Sequence, residues 1–168
     1  MKELEDTRAE SRSTHTARRE TRDLFVLTAG GQAFAVRAEE AEGLAEGLTP
    51  APLPHAPAAV LGVVSVRGRM RTLLYPPALF AQTDAPEHVN IDVPRFVVAL
   101  RGDEQLALAA DSVEGVVAFN TDALPTSDSH DSPLDATLEH EGRRVQLLDA
   151  SRLFDAAMRG TERRRPRA

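Results

Sequence analysis

Residues 59–75 read AVLGVVSVRGRMRTLLY. The first half, through Val66, is apolar and β-branched and reads as a buried strand. Arg67-Gly68 interrupts it, and RMRTLLY then reads as a returning strand that Pro76-Pro77 ends. Arg67, Arg69 and Arg71 alternate around Gly68. Three functions fit such a stretch: a phosphate-binding patch, a hairpin tip that binds protein, or a solvated strand face. The rest of the chain has to separate them.

The same grammar extends outward. LFVLTA, Gly30-Gly31 and QAFAVR form a hairpin pattern, with the folded part starting at Asp23. AEEAEGLAEG reads as one or two helical turns weakened by Gly43 and Gly47. TPAPLPHAP, with four prolines, must run extended over a surface. ALFAQ suggests a helical turn, and TDAPEHVNIDVP is a polar loop dividing the chain near residues 81–94. The second half then repeats the pattern. RFVVAL, a turn at Gly102 and LALAADSVEGVVAF give strands, DALPTSDSHDSPLD gives a loop, and TLEHEGRRVQLLD gives a hairpin turning at Glu141-Gly142. SRLFDAAMRG predicts a closing helix, capped by Ser151 and stopped by Gly160, with Leu153, Phe154, Ala157 and Met158 on one face. Closely spaced strands with glycine turns predict an all-β, mostly antiparallel fold with a few short helices, built as small barrels or a sandwich.

The chain of 168 residues is 42% hydrophobic, enough for a core, but only 4% aromatic, so Val, Leu and Ala must fill it. It has no cysteine, which removes disulfides and thiolate chemistry and fits a reducing compartment. The charge-alternating start MKELEDTRAESRSTHTARRETR has no apolar core segment of a secretory signal, and no apolar run approaches a membrane span. A cytoplasmic location without membrane insertion is therefore expected. The net charge of −6 is uneven: residues 1–22 carry +1 and residues 159–168 carry +4, which leaves −11 on residues 23–158. An acidic body disfavours a nucleic-acid surface. The competing possibility, a nucleic-acid-binding barrel using RGRMR and the RRRPR tail, has Tyr75 as its single nearby stacking platform.

Catalytic signatures are missing. There is no glycine-rich phosphate loop, nucleophile elbow or paired-histidine zinc motif, and no catalysis or cofactor is expected. His130, Asp131, His140 and Glu141 have no familiar metal spacing and read as solvated loop residues.

PHAPAAVLGVVSVRG, residues 54–68, resembles the CheW-like family of chemotaxis coupling adaptors. Pro54, Ala56, Pro57, Val60, Gly62, Val63, Arg67 and Gly68 stand where that family has P-x-A-P-x-x-V-x-G-V-x-N-L-R-G. FVLTAGGQAFAV looks like its opening hairpin, LALAADSVEGVV like its G-L-x-V-D-x-V-x-x-V segment, and VQLLDASRLF like its ending, so the resemblance spans residues 23–158. It implies two small five-stranded SH3-like barrels side by side with the C-terminal helix across them; residues 1–22 and 159–168 fall outside it and are expected to be mobile tails. It also implies a non-catalytic scaffold that bridges the regulatory domain of a chemotaxis-type histidine kinase to the cytoplasmic tip of methyl-accepting chemoreceptors.

By that resemblance the partner-binding candidates are Val36, Gly62, Val64, Arg67, Gly68, Arg69, Arg71 and Val113. Val36, Val64 and Val113 fit a barrel core as well as an interface. Gly62 and Gly68 fit a turn or a close strand approach. Arg69 and Arg71 fit a solvated strand face or a patch for an acidic partner. Asp111 and Asp149 suit the bracing of turns. The chain leaves the family pattern at Ser65-Val66 and along Arg69–Pro76, where the family is apolar with a proline and an aspartate. Those positions are expected to set partner choice.

Overall fold

The computed structural model describes residues 21–80, 93–102, 104–120 and 132–162. The chain opens with the hairpin β1 (Thr21–Ala29) and β2 (Gln32–Arg37), followed by β3 (Ala41–Glu46) and the hairpin β4 (Val60–Val66) and β5 (Arg69–Leu74). A one-turn helix α1 (Pro76–Leu79) ends this half. The second half runs β6 (Phe96–Leu100), β7 (Leu106–Ala110), β8 (Ser112–Asn120), β9 (Leu134–His140), β10 (Arg143–Leu148) and helix α2 (Leu153–Glu162).

The two halves have the same order of elements, but they do not fold separately. The sheets are ordered β8-β1-β2-β10-β9 and β3-β6-β7-β5-β4. The opening hairpin of each half is thus completed by the last three strands of the other. In each sheet one parallel pair makes the exchange: Val145–Leu147 beside Ala33–Ala35, and Thr72–Leu74 beside Leu106–Leu108. This corrects the expected division into barrels near residues 81–94. That point separates the repeats, not the barrels.

The reason lies in the burial of β1 and β2. Leu24, Val26, Ala33 and Ala35 face one cluster with Phe119, Ala136, Leu138, Val145 and Leu147, the interior of the first barrel. Leu27, Ala29, Phe34 and Val36 face the opposite way. They join the second barrel's Leu73, Leu74, Val97, Leu108 and their neighbours in one continuous core. A hairpin apolar on both faces cannot leave either to water, so it lines one barrel and seals the junction with the other. Leu153 and Ala157 of α2 close that junction, and Phe34 stacks on Phe80 at 6.1 Å. Each sheet curls until its edges approach. Phe119 of β8 meets His140 of β9 with ring centroids 5.0 Å apart, and the Arg67 side chain reaches across to β3 at Gly43.

Other expectations shift. AEEAEGLAEG is a short 3-10 turn, Ala38–Glu40, followed by strand β3, not helical turns. β6 needs a second neighbour for its backbone groups, and that demand overrides a weak helical propensity. The 3-10 turn that leads into α2 is capped by the Asp149 carboxylate, which accepts from Ser151 N–H at 3.0 Å, so Ser151 is the capped residue. α2 continues through Gly160 to Glu162, and Phe154 is exposed on it. β1 begins at Thr21, two residues before the expected start. Residues 1–20 and 81–92, His130, Asp131 and the RRRPR segment lie outside the described residues.

Candidate partner-binding site

The β4–β5 hairpin forms as the sequence suggested. Val64, Ser65 and Val66 pair with Arg71, Met70 and Arg69, and Arg67-Gly68 makes the two-residue turn with φ of 50° and 77°. Positive φ at both positions is the twist-matched hairpin turn. Glycine takes it freely, whereas an arginine there costs about 1 kcal/mol. Glu141-Gly142, the equivalent turn of the second half, has φ of 51° and 75°, so this geometry belongs to the hairpin type in both repeats. Arg67 leans back onto β3: a Cβ on Gly43 would sit 3.4 Å from its Cζ. That is ordinary van der Waals distance, so the guanidinium lies directly over the strand at Gly43.

The three alternating arginines separate into different roles. Arg67 and Arg69 are exposed. Arg71 is 4% exposed, which corrects both sequence readings of it, since it is neither a solvated strand face nor a patch open to a partner. On β5 it shares the inward face with Leu73, two residues on. Its Nη1 donates to Leu100 O at 2.6 Å, its Nη2 meets Glu42 Oε2 at 2.5 Å, and its buried Nε has no partner among the described residues. Glu42 is the extra residue of a β-bulge, lying between the paired positions Ala41 and Gly43. The bulge re-aims its carboxylate towards Arg71. The hydrogen bond from Arg71 outweighs desolvation, and with the charges of Arg71, Arg69 and Arg101 it holds the Glu42 carboxyl below its ordinary range. The second repeat has a related pair: Glu114, the bulge residue of β8, contacts Arg143 of β10.

Most of the remaining candidates are structural. Of the two roles the sequence allowed, Val36 and Val64 take the core one, buried in it, and Val113 packs half-buried against it. Gly62 has φ of 145°, and a Cβ there would collide with Ala51 O. Ala51 and Val63 exchange two hydrogen bonds at 2.9 Å, so the proline-rich segment lies along the free edge of β4 and Gly62 makes room for it. Gly68 is exposed at the tip and serves the turn.

Tyr75 stands where the family has an acid, and it is only 9% exposed. It packs on the β1–β2 turn, where a Cβ on Gly30 would sit 2.6 Å from its hydroxyl. Burial, reinforced by the Asp111 charge, raises the Tyr75 phenol above its usual range. Asp111 braces the same turn by accepting from Gly30 N–H at 2.8 Å. The departure at Tyr75-Pro76 thus belongs to the joint between barrels and not to a partner surface.

Sequence reasoning missed Glu42 and Met70. Met70 is 61% exposed, beside exposed Ser65 on the outer face of the hairpin. Strand alternation signalled Met70, because inward Arg71 and Leu73 imply an outward Met70. Nothing local signalled that Glu42 sits on a bulge. His140 and Glu141 lie 3.8 Å apart, and among the described residues no group of three metal-capable side chains converges. None of the described helices is long and apolar enough to cross a membrane.

Comparison with known proteins agrees with this architecture. The family model described as CheW-like domain matches residues 23–158. The chemotaxis protein CheW of Rhizobium meliloti (strain 1021) is 30% identical over 144 residues, covering 82% of this chain and 90% of that protein. The crystal structure of the scaffolding protein TtCheW from Thermoanaerobacter tengcongensis superposes with a TM-score of 0.64 at 10% identity, covering 81% of this chain and 94% of the other.

Proposed function

The chain belongs to the CheW-like family, and from that premise we propose that the exposed end of its β4–β5 hairpin is the face through which it engages its partners. It is a chemotaxis coupling scaffold, and its family works by binding instead of by chemistry. The partners proposed are the regulatory domain of a chemotaxis-type histidine kinase and the cytoplasmic tip of a chemoreceptor, met in the cytoplasm at a receptor array. One observation carries the choice of face. The segment with the strongest family pattern, Val60–Gly68, folds into a strand ending in a turn that leaves Arg67, Gly68, Arg69 and Met70 exposed. Buried Val60, Gly62, Val64 and Val66 of that segment support the tip from inside.

Weak contacts suffice for such a scaffold, because tethered sites in an array meet one another at effective concentrations of order mM. The test is co-purification from the native host of the tagged parent and of an Arg67→Glu/Arg69→Glu variant. The parent is expected to bring down a histidine kinase and receptors, and the variant to lose at least one of them. Equal recovery with both would place the interface elsewhere on the molecule.

A further inference from the structure

Around Glu42 the end of the second barrel gathers several arginines on a body that is acidic as a whole. Arg69, Arg71 and Arg101 all act on the single carboxylate of Glu42, and Arg67 lies over the adjacent Gly43. Arg71 takes up that carboxylate in its 2.5 Å contact. Arg67, Arg69 and Arg101 are exposed, and none has a carboxylate within ion-pair distance among the described residues. Elsewhere on the surface Arg37 and Arg143 each hold an acidic neighbour, while Arg22, Arg95 and Arg144 stand singly without one among the described residues, so the clustering marks this end. The excess of guanidinium sits on a body whose residues 23–158 sum to −11. Unneutralised arginines within an acidic surface seek external carboxylates, and each guanidinium accommodates one in bidentate geometry. Met70 stands on the outer face of the same strand, next in sequence to Arg69.

We propose that the rim of Arg67, Arg69 and Arg101 docks an acidic protein segment, and that Met70 takes an apolar side chain of that segment. The proposal rests on the reading of the hairpin end as the partner face and adds the partner's chemistry to it: carboxylates flanking an apolar residue. A phosphate polymer is the other polyanion to consider. The acidic body repels its extended charge, while a short carboxylate segment presents charge only at the rim. Tyr75, the stacking platform that the nucleic-acid alternative invoked, is buried at the joint. Electrostatic matching of this kind sets partner choice and association rate more than raw affinity.

The test has a partner-independent arm and a partner arm. Nitrogen-15-labelled full-length chain is titrated with the peptides Ac-EELEE-NH2 and Ac-QQLQQ-NH2 and with oligothymidylate. The acidic peptide is expected to shift the amide signals of residues 67–70 and 101, the glutamine peptide to leave them, and Arg69→Glu to abolish the response. Shifts elsewhere, an equal response to the glutamine peptide, or tighter rim binding by oligothymidylate would each overturn the proposal. In the second arm, affinity for the host kinase's regulatory domain is measured at rising salt. Arg69→Glu is expected to weaken it at least tenfold, Arg69→Lys to restore most of it, and Met70→Ser to weaken it without changing its salt dependence. A positive peptide arm with kinase affinity unmoved by Arg69→Glu upholds the acidic-segment chemistry and refutes the kinase as its bearer. Kinase binding indifferent to both salt and Arg69→Glu, with no peptide response, refutes the chemistry and leaves the adaptor reading standing.

Discussion

Replacing Arg71 by alanine separates a buried strut from a solvated strand face. The change removes the 2.6 Å hydrogen bond to Leu100 O and leaves that buried carbonyl without its charged donor, a loss of about 1–3 kcal/mol. It also removes the packed aliphatic stem, worth about 1–2 kcal/mol. Freeing a side chain held in one conformation returns about 1.5–2 kcal/mol of entropy. Glu42 is partly exposed and rehydrates once its partner is gone, so no buried unpaired charge is added. The balance is a destabilisation of about 2 kcal/mol, which lowers Tm by roughly 4–8 °C for a chain of this size. Arg69→Ala, two residues away on an exposed site, should stay within about 0.5 kcal/mol of the parent. Urea unfolding followed by far-ultraviolet circular dichroism measures both, since the chain has no tryptophan. Arg71→Met refines the result by restoring the stem without the guanidinium, and should fall between alanine and parent. If Arg71→Ala and Arg69→Ala gave equal midpoints, Arg71 would be a surface residue and the account of the second barrel's closure would be wrong.

Three further outcomes are expected. Gly62→Ala should destabilise by about 2 kcal/mol or more, because it adds a Cβ against Ala51 O at a φ that L-residues rarely adopt; a neutral result would mean that the proline-rich segment does not lie on β4. The single tyrosine allows a clean absorbance titration, whose midpoint should lie above the ordinary value of 10.0. Because the unfolded chain loses that proton first, folding stability should also decline as pH rises past about 10, and an ordinary midpoint would contradict the packing of Tyr75 at the joint. Glu42 has the opposite sign. Its folded pKa is depressed, so its contribution is present above the ordinary carboxylate value of 4.5 and is lost as pH falls through the folded value. Glu42→Gln should therefore flatten the acid limb of the stability–pH curve, and an unchanged limb would argue against the Arg71–Glu42 contact.

Much of this molecule follows from its sequence. The strands β4 and β5 and their Arg67-Gly68 turn, the Gly30-Gly31 and Glu141-Gly142 hairpins, and the repeated order of elements all follow from periodicity and turn chemistry, because these are local properties of a few residues. The family pattern around Val60–Gly68 likewise pointed to the coupling scaffold. What periodicity cannot reveal is which faces meet. The repeat was visible, yet only the two-sided burial of β1 and β2 decides that each half is completed by strands of the other. RGRMR looked like one basic patch. The curl of the second sheet and a one-residue bulge at Glu42 drew Arg71 inside and left Arg67 and Arg69 at the rim. Charge type is written in the sequence, but whether a charge faces water, a carboxylate of its own chain or a partner depends on strand register and sheet curvature, which contacts distant along the chain determine.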